Sequence, residues 1–121
     1  METTQLVTTI VRSLDTHKAQ DIQVLKVDEV TSIAEYFVIA STTSTTGVKA
    51  LVDYVDAELA RQDVLPLRTE GYRTSLWTLM DYGTVVVHVF LKSTREFYDL
   101  ERLWQDATAL DLAMFLEDEQ P

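Results

Sequence analysis

Ser41-Thr42-Thr43-Ser44-Thr45-Thr46-Gly47 follows a short apolar run and precedes a helical stripe, a position where an anion can rest on free backbone N–H groups. It lacks the glycine spacing and the lysine of a phosphate loop, and Gly47 is its only glycine. Hydroxyls that cap the following helix explain it more simply. Metal-assisted group transfer needs carboxylates converging on one metal pair, which an Asp-x-Asp on a strand would supply. No expected strand carries that pair. Asp99 and Glu101 fall two apart on an expected helix and so diverge, while Glu117 and Glu119 lie in the acidic tail. His88 stands between Val87 and Val89 with no Gly-x-Ser-x-Gly elbow to serve, so a partly buried, hydrogen-bonded imidazole is expected there. His17 falls in a connector and is expected to be exposed. With two His and no Cys, a transition-metal site, a disulfide and thiolate chemistry all drop out. The chain therefore reads as a protein without catalytic residues, metal or cofactor, and not as an enzyme.

The elements that position these residues centre on Leu76 to Phe90. Two β-rich runs flank Tyr82-Gly83-Thr84, the signal of a hairpin. Val85 to Phe90 is apolar on both alternating faces except at His88, so it is expected to be a central strand covered on both sides. The run before it alternates: Leu76, Thr78 and Met80 point one way, Trp77, Leu79 and Asp81 the other. Upstream, Leu6, Val7, Ile10, Val11 and Leu14 predict an amphipathic helix ending near Asp15. Residues 17 to 21 read as a connector, Ile22 to Val27 as a strand, and Tyr36 to Ala40 as a short buried strand. Val48, Leu51, Val52, Val55 and Leu59 predict a second helix capped by Thr45 or Thr46. Val64-Leu65-Pro66-Leu67 is expected to be laid parallel to the buried strand by that helix, as an edge strand or the approach to one. Downstream, Ser93 or Thr94 is expected to cap a helix carrying Phe97, Leu100, Leu103, Trp104 and Ala107. Leu110, Leu112, Met114, Phe115 and Leu116 precede Glu117-Asp118-Glu119, and either a docked helix or a frayed end fits them. The order α-β-β-α-β-β-β-α predicts one α/β domain over 1–121. Its mixed sheet of about five strands has helices packed on it, with an N-terminal helix in 1–17 and an acidic tail in 108–121.

Charge narrows the partner. Twenty acidic against ten basic residues give a net −10, which argues against nucleic acid as the main contact and for a basic protein. The apolar runs are too short to cross a bilayer, and the first residues show neither a secretory nor a transit pattern, so a cytoplasmic protein without membrane contact is expected. Trp77, Leu79 and Asp81 share the outward face of the first hairpin strand. If that face is open, an aromatic anchor beside a charge makes an interface centre; if a helix covers it, Trp77 is packing.

Several blocks together carry a resemblance. Lys18-Ala19-Gln20-Asp21-Ile22-x-Val24-Leu25, Thr31-x-Ile33-Ala34-Glu35-Tyr36-Phe37-Val38-Ile39 and Glu70-Gly71 are followed by Trp77-x-Leu79-x-Asp81-Tyr82-Gly83-x-Val85-Val86-Val87-His88-Val89-Phe90 and by Arg95-x-Phe97-Tyr98-x-Leu100-Glu101-x-Leu103-Trp104. In this order they resemble the ribosomal silencing factor family, also called Iojap-like. The resemblance implies a nucleotidyltransferase-like α/β fold without catalysis. It further implies a translational repressor that binds the large ribosomal subunit through large-subunit ribosomal protein fourteen, blocks joining with the small subunit and slows translation when nutrients are short. Carried over by motif, Trp77, Leu79, Met80, Asp81 and Tyr82 are the expected docking residues, with Arg95 and Tyr98 behind them. The family usually has Ser-Gly where this chain has Ser41-Thr42, Asp where it has Thr84, and Asp where it has Glu35. Two rival readings remain: a homodimeric adaptor pairing through the same face, and a residual nucleotide-binding protein using residues 41–47.

Overall fold

In the computed structural model, which describes residues 1–117, two amphipathic helices cover one face of a six-stranded sheet. Helix α1 (Thr3–Thr16) buries Leu6, Val7, Ile10, Val11 and Leu14, all from one stripe. Helix α2 (Thr45–Ala60) buries Val48, Leu51, Val52, Val55 and Leu59 in the same way. Its cap is Ser44, whose hydroxyl accepts the N–H of Gly47 at 2.9 Å, one residue earlier than the threonines expected to do this.

The strands are β1 (Gln20–Lys26), β2 (Tyr36–Thr42), β3 (Arg68–Glu70), β4 (Trp77–Asp81), β5 (Val85–Leu91) and β6 (Thr108–Leu110), in the order β3-β4-β5-β2-β1-β6. Among the described residues only β2 and β5 run parallel; the remaining pairs are antiparallel. As the apolar pattern requires, β5 lies inside the sheet and is buried from Val85 to Phe90. The parallel partner of β2 is thus β5, and not the Val64–Leu67 segment expected in that place. Pro66 has no N–H to give a ladder, and Leu65 and Leu67 are exposed, so regular pairing starts only at Arg68 and forms an edge strand against β4. Thr42 closes β2 opposite Leu91 in ordinary extended pairing.

The chain beyond β5 departs most from the pattern. Helix α3 (Lys92–Tyr98) starts directly off the strand, so Ser93 and Thr94 lie inside its first turn and neither caps it. Asp99 takes a left-handed conformation at φ 48° and breaks the expected single helix, and a short α4 (Leu100–Leu103) follows. The break turns Leu100 inward while Phe97 and Leu103 stay 80% and 76% exposed. Within 108–121, β6 adds a sixth strand beside β1, and a short α5 (Ala113–Leu116) buries Phe115 against the core shared with α1. Arg12 of α1 ties this end down by donating to the carbonyl of Phe115 at 2.7 Å. The last part of the expected acidic tail, residues 118–121, lies outside the described residues.

Successive residues of each strand face opposite ways, and the two faces bear different cores. Val38, Ala40, Met80, Val85, Val87 and Val89 face α1 and α2. Phe37, Ile39, Val86 and Phe90 face the other way, covered only by Leu100, Trp104, Ala107 and the segment around Val27 and Ala34.

Candidate functional site

The thinly covered face is where the candidate residues converge. Alternation along β4 sends Trp77, Leu79 and Asp81 to this side, where cross-strand register sets them opposite Phe90, His88 and Val86 of β5. Trp77 is half-buried. Its indole stacks on Phe90, with centroids 4.8 Å apart and planes at 25°, and it touches Tyr98 at 5.3 Å. Its Nε1–H donates to Nδ1 of His88 at 3.1 Å. Phe97 meets Tyr98 edge to face at 5.1 Å, so an aromatic run Phe90-Trp77-Tyr98-Phe97 leads from the sheet to open solvent. Leu76 and Leu103 are exposed large apolar side chains as well.

Asp81 sits at the far end of β4 and is committed inside the chain. One carboxylate oxygen accepts the N–H of Gly83 at 2.8 Å, closing the hairpin turn, and the other faces Nε of Arg68 at 3.3 Å. Gly83 itself takes φ +88°, a conformation that favours glycine.

Three of the residues carried over by motif do not join this face. Met80 is 1% exposed and packs under the helices on the opposite side, as the period of the strand dictates. Tyr82 packs toward that helical core too; burial pushes its phenol up from the ordinary value, with Asp56 of α2 adding to the effect, and its hydroxyl is enclosed without a partner among the described residues. Arg95 is 7% exposed, donating to Glu101 at 3.0 Å and to the Ser41 hydroxyl at 3.0 Å, so its guanidinium braces α3 and α4 against the end of β2. Trp77, Leu79, Asp81 and Tyr98 are the expected residues brought together. Phe97 joins them unforeseen through its contact with Tyr98: the helical stripe put it in the core, and the structure leaves it exposed.

His88 is buried as expected, and loss of hydration holds its imidazole down at about 4. The hydroxyls of residues 41–46 serve the fold at the two points the structure records, Ser41 receiving Arg95 and Ser44 capping α2. Asp99 and Glu101 are not on one helix: Asp99 is the junction and Glu101 pairs with Arg95. They line a cleft of ≈ 390 Å³ with Asp21, Glu96, Lys92 and Arg95, so that four carboxylates share it with two cations. Among the described residues no group of three or more His, Asp or Glu is placed to hold a metal ion, and no helix is long and apolar enough to cross a membrane.

A mixed sheet shielded by helices on one side and presenting a graded aromatic surface on the other defines a single-domain protein of the α/β class. Comparison gives the family. The model described as ribosomal silencing factor during starvation matches residues 1–121, and the chain belongs to that family. It is similar to the ribosomal silencing factor RsfS of Halalkalibacterium halodurans, 35% identical over 112 residues that cover 93% of this chain and 96% of that one. The Bacillus subtilis protein of the same name is 36% identical over 98 residues, covering 81% and 83%. A solved structure of a protein from Chromobacterium violaceum has a TM-score of 0.84 at 34% identity and covers 87% of this chain and 88% of that one.

Proposed function

We propose that this chain represses translation by occupying the large ribosomal subunit, docking its Trp77 face on large-subunit ribosomal protein fourteen and keeping the small subunit from joining. The repression acts when nutrients are short and takes place in the cytoplasm, where the ribosomes are. It is steric and needs no turnover. The observation that carries this reading is the aromatic run from Phe90 through Trp77 and Tyr98 to an almost fully exposed Phe97. Large aromatics that start buried in the sheet and end bare on the adjoining helix suit the centre of an interface. A contact of standard size takes about 800 Å² from each partner, room for this run with Leu79 beside it. The net charge of −10 disfavours rRNA and favours a basic protein surface rising from it.

The test is co-sedimentation with isolated large subunits. Phe97→Asp and Tyr98→Asp are expected to fold as the parent does, since both side chains are exposed, and to bind at least about thirtyfold more weakly, the loss typical of an aromatic anchor. Undiminished binding by both variants would exclude this face. Light scattering on the same samples separates the adaptor alternative: a dimer that these substitutions dissolve, with no effect on subunit binding, would favour self-pairing.

A further inference from the structure

Position 88 is an expensive place for an imidazole. β5 is otherwise Val, Phe and Leu, and His88 is 4% exposed within it. Its Nδ1 accepts the indole N–H of Trp77, which assigns the ring proton to Nε2. That Nε2 is enclosed and has no hydrogen-bond partner among the described residues. An enclosed donor without an acceptor destabilises a core, and a Leu or Phe would fill the space without it. Stability of the sheet therefore does not account for the imidazole.

What the imidazole alone supplies is an acceptor for Trp77. The indole has two further neighbours, stacked Phe90 and tilted Tyr98, and both hold it by contact that tolerates a turned ring. The N–H···N bond is directional and selects one orientation. His88 reaches it from a diagonal position, since Trp77 pairs with Phe90 and His88 with Leu79. The imidazole is fixed in its turn by the edge of Phe37, 4.9 Å away at 72°.

We infer that His88 is a positioning residue for docking, its Nδ1 holding the Trp77 indole in a single rotamer so that the face meets its partner already ordered. The inference rests on the reading that the Trp77 face docks. Ordering a large side chain beforehand removes that cost from association.

The experiment compares His88→Leu, His88→Phe and His88→Asn with the parent chain. Three readouts are taken: circular dichroism, the indole N–H signals by NMR, and affinity for isolated large subunits. In the parent, the Trp77 indole N–H, identified by its disappearance in Trp77→Phe, is expected to exchange slowly with solvent. His88→Leu and His88→Phe are expected to fold, to lose that protection, and to bind about three- to tenfold more weakly, the range expected when one side chain has to be ordered on contact. His88→Asn, whose side-chain oxygen can take the place of Nδ1, is expected to recover most of both. Parent-like affinity in the two apolar variants would overturn the inference, as would failure of both to fold, because the imidazole would then be holding the core. Equal weakening in all three variants would overturn it as well. Trp77→Ala separates the two levels: parent-like binding sinks the docking reading itself, whereas a large loss there beside unaffected His88→Leu sinks the positioning role alone.

Discussion

Arg68 and Asp81 face each other across β3 and β4, with the guanidinium Nε 3.3 Å from one carboxylate oxygen while the other oxygen holds the Gly83 N–H at 2.8 Å. Arg68 also reaches Glu70 at 3.1 Å, so the outer corner of the sheet is a small charge network closed on itself. A carboxylate with both oxygens engaged has little left for a basic partner. Within the described residues Asp81 serves the hairpin turn and the corner of the sheet.

Asp81→Lys is therefore expected to damage the fold. It removes the acceptor of the turn and sets a second cation beside Arg68, for a loss of about 2–3 kcal/mol in urea unfolding. Arg68→Ala breaks only the two ion pairs to Asp81 and Glu70, made by a cation that is 60% exposed, and its cost is expected to stay below about 1 kcal/mol. Asp81→Asn keeps an oxygen for Gly83 and is expected to lie near the parent. Equal costs for Asp81→Lys and Arg68→Ala would show that the turn does not depend on this acceptor.

Stability is expected to fall on mild acidification because of His88. Its imidazole stays neutral in the fold down to about 4, against an ordinary 6.5. Between those values the unfolded chain binds the proton and the folded chain does not, so stability from this group is fully present above 6.5 and declines as pH drops toward 4. The gap corresponds to roughly 3 kcal/mol. Urea unfolding at a series of pH values in parent and His88→Leu checks it: the parent curve should fall more steeply through this window. Parallel curves would mean that the imidazole is already charged in the fold.

Gly71 and Gly83 both take positive φ, yet substitution is expected to separate them. A Cβ on Gly71 would stand 2.1 Å from the carbonyl oxygen of Trp77, a backbone atom that cannot swing aside. Gly71→Ala should cost about 2 kcal/mol or more and displace the start of β4, altering the indole signal of Trp77. At Gly83 the nearest atom is 3.7 Å away on Leu67, so Gly83→Ala bears conformational strain alone, about 1–2 kcal/mol. Both are read by thermal or urea unfolding. An indole spectrum unchanged by Gly71→Ala would rule out the coupling to Trp77.

The helices α1 and α2, the hairpin and the buried central β5 were legible because each follows a single period that packing obeys. Met80 shows what happens when a motif is carried over against that period: alternation along β4 already turned it away from Trp77, and the structure buries it. Three features had no local signal. The parallel partner of β2 is chosen by long-range pairing, where two doubly covered apolar strands bury more than Val64–Leu67 could beside Pro66. The break at Asp99 hides inside a helical stripe, and only the left-handed backbone there turns Phe97 and Leu103 outward. Strand β6 is three residues of weak pattern that pair because β1 offers a free edge. The aromatic face was half legible: Trp77 and Leu79 follow from alternation, whereas the exposed aromatic tip depends on the break.

Subunit joining tests the proposed mechanism most directly. Purified large and small subunits are mixed in the presence of the parent chain or of Tyr98→Asp, and the joined fraction is read on a sucrose gradient. The parent chain should lower that fraction in proportion to its occupancy of the large subunit, and Tyr98→Asp should leave it close to the protein-free level. Undisturbed joining with the parent chain bound, or equal inhibition by both proteins, would contradict a block built on the Trp77 face.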